Sequence, residues 1–229
     1  MKKRAVLIAA AMCPFSAFAV NGPYVGVGLC YSNTIFDVYQ DATATAFSTT
    51  EHSWKSFHGI TGGVQTQLVI GYACDINKFR LGAEITAQMP KTTYTDSEAP
   101  DKFHTYEFIH AYGVNFVPGY YITNRNLLYL KIGARRGKFA YKDFPSAEYP
   151  ILNTSFYSTG LNLGLGTEMY LTKNIRLKLE YFYTNYTRLK FISNLALPEN
   201  VTVVVDSRIQ PHVHTVMLGV DYQFDFLKR

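Results

Sequence analysis

The chain has 229 residues and a formal net charge of +5, with 15% aromatic residues and only 17% charged residues. Three basic residues and no acidic residue fall within residues 1–19, so the net charge of residues 20–229 is 19 − 17, or +2. This small excess, without any run of five basic residues, gives no support to a nucleic-acid partner. Few charges with many Tyr and Phe side chains are typical of a surface that faces lipid.

The N-terminus has the layout of a secretory signal peptide. Basic residues 2–4 precede an apolar run over residues 5–12, and the small-residue site Ala17-Phe18-Ala19 follows. The apolar run is far shorter than the roughly 20 residues of a membrane-spanning helix, so a retained anchor is the weaker alternative. We therefore predict that residues 1–19 are a cleaved signal peptide and that residues 20–229 form a single domain.

Eight segments of the remaining chain alternate between apolar and polar residues with the period of two of a β-strand. In chain order they cover about residues 23–36, 63–74, 79–89, 105–121, 127–141, 155–171, 175–191 and 212–226. Each is long enough to cross a bilayer at a tilt, which takes about 9–11 residues. The pattern therefore predicts eight transmembrane strands.

The connections between these strands are alternately short and long. Tight turns with Asn or Asp, which tolerate a left-handed backbone, are predicted at 75–78, 123–126 and 172–174. Long connections, predicted as external loops, cover about 37–62, 90–104, 142–154 and 192–211. Short periplasmic turns with long external loops are typical of outer-membrane barrels. The predicted fold is all-β, an eight-stranded antiparallel up-and-down transmembrane β-barrel after a cleaved signal peptide.

The two faces of the predicted strands differ in charge. One face is apolar, as with Leu161, Leu163 and Leu165. The other face collects Arg80, Glu84, Glu107, Lys131, Arg135, Glu168, Arg176, Lys178, Glu180, Asp221 and Asp225. A charge that faces lipid at mid-membrane costs about 2–4 kcal/mol, so the charged face is predicted to line the lumen.

Acidic and basic residues are nearly balanced on this inner face, and the interior of an eight-stranded barrel is narrow enough for side chains to fill. We predict a plugged lumen with a charge network of Arg80, Glu84, Glu107, Lys131, Arg135, Glu168, Lys178 and Glu180. A wetter lumen with hydrated charges is the alternative. Aromatic girdles at the two interfaces are predicted from Tyr24, Tyr31, Tyr72, Tyr120, Tyr121, Tyr181 and Tyr183.

Three segments resemble outer-membrane β-barrel proteins of the opacity-protein and OmpA-like eight-stranded family. They are residues 22–29, residues 163–184 and the closing segment Leu218-Gly219-Val220-Asp221-Tyr222-Gln223-Phe224. The last is similar to a C-terminal strand that the barrel assembly machinery binds, over Leu218 to Phe226, although three residues follow Phe226 where the family ends on the aromatic residue. The resemblance implies a surface protein whose loops contact a host or environmental ligand, with minor-porin and membrane-stabilising roles as alternatives.

No enzyme signature accompanies this resemblance. Some small barrels deacylate lipid A with a Ser two residues after a His, but Tyr112 occupies that position after His110. His212 and His214 share one face of the last strand, and His52, His58 and His104 are scattered over the predicted loops, where the residues do not by themselves supply a full set of ligands. We predict no enzymatic activity, no catalytic residues, no metal and no cofactor.

The first long loop contains candidate ligand contacts. Trp54, Phe57 and His58 lie among Ser and Thr residues, and Trp and Tyr are favoured contacts in binding surfaces. We predict a non-catalytic barrel that mediates surface interaction or adhesion through its external loops, in contact with outer-membrane lipid and lipopolysaccharide. A narrow porin-like channel and, less favoured, a lipid-modifying enzyme are the alternatives.

Three cysteines occur in the sequence. Cys13 lies in the predicted signal peptide, where the bulky residue before it disfavours lipidation. Cys30 and Cys74 lie at different heights and on opposite faces of neighbouring predicted strands. A disulfide needs Cα atoms within about 7 Å, so we predict that Cys30 and Cys74 are not bridged and have no catalytic role.

Overall fold

The computed structural model describes residues 21–46, 49–89, 92–99, 102–144, 152–197 and 201–224. Ten β-strands make up nearly all of this part of the chain. They are β1 (Gly22–Ala46), β2 (Thr49–Ile76), β3 (Phe79–Met89), β4 (Thr92–Ala99), β5 (Lys102–Tyr121), β6 (Asn126–Phe144), β7 (Leu152–Tyr170), β8 (Ile175–Tyr186), β9 (Leu189–Leu197) and β10 (Val201–Gln223). Within these ranges, no helix has the length and apolar character needed to cross a membrane.

Eight of the strands close into a ring with the order β1-β2-β3-β5-β6-β7-β8-β10, in which β10 pairs antiparallel with β1. β4 and β9 lie outside the ring, where β4 pairs with β5 and β9 pairs with β10. Closure gives every strand of the ring two partners, which lipid requires because an unpaired backbone group in hydrocarbon costs several kcal/mol. The predicted eight-stranded antiparallel barrel is confirmed.

The strands are longer than the sequence predicts. Residues 37–62, expected to form a loop, instead continue β1 and β2 as a paired hairpin up to the pair Ala46 and Thr49. Residues 192–211 similarly contain most of β9 and the first half of β10, and residues 90–104 contain β4. The predicted strand ends were wrong because a strand beyond the lipid has water on its outer face, so it does not need the outward apolar residues that mark a spanning segment.

Outside the lipid zone the wall divides into two sheets. β10 leaves β8 beyond the pair His212 and Asn185 and pairs with β9 instead, while its other edge stays paired with β1. The result is a four-stranded sheet β9-β10-β1-β2, which we call the hairpin sheet. β4, β5, β6 and β7 continue as the second sheet on the other side.

The predicted faces of the spanning strands are confirmed. Leu130, Leu165 and Leu218 are each more than half exposed on the outer surface, whereas Lys131, Glu168 and Lys178 are at most 3% exposed on the inner one. Asp225 lies outside the described residues. Cys30 is inside the barrel, opposite Gln65, and no disulfide joins it to Cys74, as predicted.

The first tight turn shows why its residue type matters. Asn77, between β2 and β3, has a φ angle of 56°, and it is the one non-glycine residue with positive φ in the described part of the chain. Asn tolerates this left-handed conformation, whereas a β-branched residue is strained there. The turn therefore helps to set the β2–β3 register, in which Ile76 pairs with Phe79.

We expect Asn77→Val to lower the free energy of unfolding by about 1–2 kcal/mol, because a side chain branched at Cβ clashes in the left-handed region. Asn77→Gly is the matched control and should cost nothing, since glycine adopts positive φ freely. Urea titration of the refolded barrel in lipid vesicles measures both. An equal loss in the two variants would show that the backbone conformation of the turn is not the cause.

Candidate functional site

The lumen is the region where the structure concentrates buried polar groups. Its side chains form four layers between the short-turn end and the hairpin end of the barrel. The first layer surrounds Arg80 of β3, which is 2% exposed. Arg80 donates to Asp75 at 2.7 Å, to Glu168 at 2.8 Å, to Tyr121 at 2.5 Å and to the hydroxyl of Tyr170. The guanidinium N–H groups of Arg80 thus donate to acceptors from β2, β5 and β7.

Lys178 of β8 is the centre of the second layer. Its Nζ lies 2.9 Å from Glu84, 3.0 Å from Asp221, 3.5 Å from Glu180 and 3.6 Å from Glu168. The four carboxylates come from β3, β10, β8 and β7. One ammonium group therefore links four strands across the interior.

Two further cations complete this layer. Lys131 lies 2.9 Å from Glu84 and 2.6 Å from Glu180, and Arg176 lies 2.9 Å from Glu168 and 3.2 Å from Asp221. With the Arg80 layer, the network joins four cations, Arg80, Lys131, Arg176 and Lys178, to five carboxylates, Asp75, Glu84, Glu168, Glu180 and Asp221. Such pairs are stable away from water only when each charge has several partners, a condition that this geometry meets.

Two tyrosines that the sequence assigned to the girdles belong to this network instead. Tyr24 is 2% exposed and donates to Glu84 at 2.8 Å, and Tyr121 donates to Asp75 at 2.9 Å. The ring of Tyr24 lies against Gly71, where a Cβ atom would overlap it. The girdle prediction was wrong for Tyr24 and Tyr121 because a lumen with glycines on its wall has room for tyrosine rings, and their hydroxyls supply additional donors to the carboxylates.

The third layer is made of amides and hydroxyls. Arg135 donates to Gln67 at 3.5 Å and to the side-chain oxygen of Gln88, and its guanidinium carbon lies 4.8 Å from the centre of the Phe182 ring. Gln88 in turn donates to Ser32 at 2.8 Å. Arg135, proposed from the sequence as part of the charge network, thus contacts neutral groups one level above it.

The fourth layer is apolar and lies at the hairpin end of the lumen. Its residues come from both sheets of the divided wall and are all at most 2% exposed: Phe36, Val38, Tyr106, Phe108, Ala111, Phe139, Tyr186, Ile209 and Val213. Phe139 is central, with ring centres 5.0 Å from Tyr186, 5.2 Å from Phe108 and 6.1 Å from Phe36. This aromatic layer was not predicted from the sequence, although its β1 residues continue the inward parity of Ser32 and Thr34.

Glu107 does not point into the lumen. A β-bulge between Phe108 and His110 shifts the alternation of β5, and Glu107 pairs with Ala140 between the inward residues Tyr106 and Phe108. Successive side chains of a strand point to opposite faces, so Glu107 lies on the face opposite to these two rings, where it is buried with 6% of its surface exposed. An extra residue in one strand cannot be read from an alternating pattern, which is why its parity was predicted wrongly.

The hairpin sheet carries the predicted loop contacts. Trp54 is 83% exposed, more than any other large hydrophobic side chain in the described ranges. His58 is exposed and lies 2.7 Å from Asp37, whose other oxygen is 3.1 Å from His212. The backbone of Phe57 pairs with Val38, and the side chain of Phe57 lies outside the described part.

The other predicted histidines do not converge with this pair. His52 contacts Thr43 at 3.1 Å, and His214 contacts Tyr181 at 2.8 Å on the outer wall. The side chain of His104 lies outside the described part. In the ranges that the structure describes, no group of three or more His, Cys, Asp or Glu side chains is arranged to hold a metal ion.

Residues 5–224 match the family model of the outer membrane protein beta-barrel domain. The chain belongs to this family. It is therefore a protein of the Gram-negative outer membrane, and the resemblance to eight-stranded outer-membrane barrels that the sequence suggested is confirmed. No curated protein matches the sequence.

One solved structure agrees with this fold, and a second is reported only as a similar chain. The outer membrane protein OprG from Pseudomonas aeruginosa is 17% identical, and the match covers 89% of this chain and 96% of OprG with a TM-score of 0.52. Ail, the attachment invasion locus protein of Yersinia pestis, is 19% identical, with 84% of this chain and 98% of Ail covered and a TM-score of 0.41. At 17% identity the likeness to OprG shows the fold alone.

Family membership also orients this outer-membrane barrel. Short turns face the periplasm and long connections face the exterior in such barrels. The Arg80 layer is therefore at the periplasmic end, where a cavity of about 750 Å³ is lined by residues such as Asp75, Lys78 and Arg125. The aromatic layer is at the external end of the lumen, beneath the hairpin sheet.

We expect Lys178→Met to lower the free energy of unfolding of this outer-membrane barrel by about 3–5 kcal/mol, because removing one partner leaves buried carboxylates uncompensated. Urea-dependent loss of heat-modifiable gel migration measures it. The control is Lys173→Met in an exposed turn, expected to stay within about 0.5 kcal/mol. A similar small loss for both variants would mean that water screens the network and that the lumen is not sealed.

Proposed function

We propose that this outer-membrane barrel is a non-catalytic surface protein that binds an external ligand, from a host or the environment, through its hairpin sheet. The observation that carries the proposal is the continuous ladder of β1, which pairs with β2 and β10 up to Ala46. A paired sheet holds its side chains in place before a ligand arrives, which reduces the entropy lost on binding. Trp54 at its surface is the proposed anchor, with Phe57 and His58 as neighbouring contacts.

The filled lumen supports a binding role over transport. Lys178 and its carboxylates occupy the middle of the barrel, Arg135 and Gln88 the next level, and the aromatic layer the external end. Charged solutes would have to break several ion pairs to pass the middle layer, and the aromatic layer offers them no polar partner. We therefore propose a plugged barrel, with Arg80, Glu84, Lys131, Glu168, Lys178 and Glu180 as its ionic layers.

We also propose how the chain is exported and assembled into the membrane. Residues 1–19 are proposed to direct export, and the closing strand from Leu218 to Phe226 to engage the barrel assembly machinery. In the described part of that segment, Leu218, Val220, Tyr222 and Phe224 form an exposed outward row. This strand must pair with β1 to close the barrel. Its exposed apolar row offers a contact surface for the assembly machinery in the membrane.

Removal of the upper hairpins tests the binding role. Val38 pairs with Phe57, and Leu189 pairs with Ile209, so residues 39–56 and 190–208 can each be replaced by Asn-Gly, a two-residue hairpin turn. We expect the shortened barrel to fold and to lose binding to an array of matrix proteins and glycans. Trp54→Ala should weaken binding at least about tenfold, the size of a small hot spot.

Ile122→Ala is the matched control for Trp54→Ala, because Ile122 is also exposed but lies in a periplasmic turn. Its binding should equal that of the unchanged protein. If the shortened barrel folds and binds the same ligands as tightly as the full chain, the hairpin sheet is not the binding surface.

Planar-bilayer recording separates the binding role from the porin alternative. We expect no steady current from the full chain, because its lumen is occupied by side chains at every level. The shortened barrel should also be silent, since its ends at Val38 and Ile209 keep both the aromatic layer and the Lys178 network. Regular conductance steps from either form would contradict the plugged lumen and favour a channel.

A further inference from the structure

A second candidate site lies at the periplasmic end of the barrel, on the side opposite to the hairpin sheet. The cavity of about 750 Å³ at this end is lined by residues of three short turns, which connect β2 to β3, β5 to β6 and β7 to β8. Each turn contributes one exposed cation to the lining, and these are Lys78, Arg125 and Lys173. Small-molecule sites are typically clefts of about 300–1,000 Å³. The volume of this cavity therefore fits a small ligand.

Backbone hydrogen bonds place the first two cations beside tyrosines of the first layer. The amide of Tyr121 donates to the carbonyl of Lys78 at 2.8 Å, and the amide of Tyr170 donates to the carbonyl of Arg125 at 2.9 Å. Each of these two turns is thus tied to the neighbouring strand that carries a tyrosine. The backbones of both cations are therefore positioned before a ligand arrives, which reduces the entropy lost on binding.

The turn that carries Lys173 is held in a similar way. The side-chain amide of Asn174 donates to the carbonyl of Gln223 at 2.7 Å, and the amide of Gln223 donates to the carbonyl of Asn174 at 2.8 Å. Within the turn, the hydroxyl oxygen of Thr172 accepts from the amide of Ile175 at 3.0 Å. This turn is therefore tied to β10 at the end of the barrel.

The floor of the cavity does not offset the charge of these cations. Asp75 belongs to the lining, but its oxygens already accept from Arg80 at 2.7 Å and from the Tyr121 hydroxyl at 2.9 Å. The guanidinium of Arg80 compensates the charge of this carboxylate. The hydroxyls of Tyr121 and Tyr170 lie 3.2 Å apart and add neutral polar groups. The lining thus combines a polar floor with a positively charged rim.

The position of the cavity indicates from which side a ligand enters. Tyr121 and Tyr170 both accept from Arg80 inside the barrel, so the cavity lies at the end of the lumen and not on the lipid-facing wall. Beyond Arg80, the ion pairs of Lys178 fill the interior. A ligand must therefore come from the aqueous periplasm, so a soluble molecule fits and a membrane lipid does not. A cleft lined by positive charge attracts anions.

We propose that this cavity binds a small water-soluble polyanion of the periplasm through Lys78, Arg125 and Lys173. Its charged groups are carboxylates or phosphates, because the planar guanidinium of Arg125 can donate two parallel hydrogen bonds to either, while the two lysines act as point charges. The cations come from different turns, so a ligand with several charges can contact more than one of them at once. A ligand with a single charge cannot.

The test is calorimetric titration of the folded full-length barrel with citrate and with inorganic pyrophosphate. Neutral detergent and about 0.1 M salt are used, because such salt screens charges more than about 10 Å away. At least one probe should bind, and the variant Lys78→Gln, Arg125→Gln should bind it about tenfold more weakly, since an exposed ion pair contributes up to a factor of about five. The control Lys190→Gln, Arg208→Gln removes two cations at the external end and should change binding less than about twofold.

A second pair of variants tests the cavity without changing its charge. Asn124→Trp places a large ring in the lining and should weaken binding at least as much as Lys78→Gln does. Ile122→Trp is the matched control, because Ile122 precedes the same turn and is exposed outside the lining. Its binding should equal that of the unchanged protein. Equal affinity in the two Trp variants would overturn the assignment to this cavity.

The probes also identify the charged group of the ligand. Tighter binding of citrate would support a polycarboxylate, and tighter binding of pyrophosphate would support a phosphorylated molecule. Failure of both probes to bind, acetate binding as tightly as citrate, or unchanged affinity in the variant Lys78→Gln, Arg125→Gln would each overturn the proposal. If this double variant does not fold, Lys173→Gln should still bind up to about fivefold more weakly. The barrel without residues 39–56 and 190–208 should keep full affinity, so the result is independent of ligand binding by the hairpin sheet.

Discussion

The structure depends on one constraint, which is that hydrocarbon accepts neither an unpaired backbone group nor an unpaired charge. The first condition closes eight strands into a ring, because β10 must pair with β1 to remove the last open edge. The second sends the charged side chains at the middle of the spanning strands inwards, where the narrow interior places the Lys178 Nζ 2.9 Å from Glu84 and 3.0 Å from Asp221. Burial of these charges is compatible with a stable barrel only because each one has several partners.

The same constraint explains how much of the fold follows from sequence. Alternation is enforced only where one face meets lipid, so the spanning segments, their inward charges and the tight turns were predicted. The outer halves of β1, β2 and β10 were not, because water on the outer face of a strand removes the need for an apolar residue at every second position. Glu107 was assigned to the wrong face since a bulge changes parity without altering composition.

The partners of individual lumen residues required the strand register, which alternation does not specify. Tyr24 has the inward parity of its strand, yet its contact with Glu84 depends on how β1, β2 and β3 are aligned. Arg135 similarly contacts Gln67 and Gln88 because β6 places it one level above the carboxylates. The sequence therefore indicates that charges meet inside the barrel, and the register determines which of them do.

The side chains inside the barrel and those on its outer surface are assigned different roles. Because ion pairs and aromatic rings fill the lumen, the proposed binding of an external ligand is assigned to the hairpin sheet outside the lumen. The measurement that tests the inward–outward division most directly is quenching of a single Trp by brominated lipid, after Trp54→Phe removes the native one. Leu165→Trp, on the outer face, should be strongly quenched, and Phe182→Trp, inside the barrel, should not. Equal quenching at the two positions, or stronger quenching at position 182, would contradict the account.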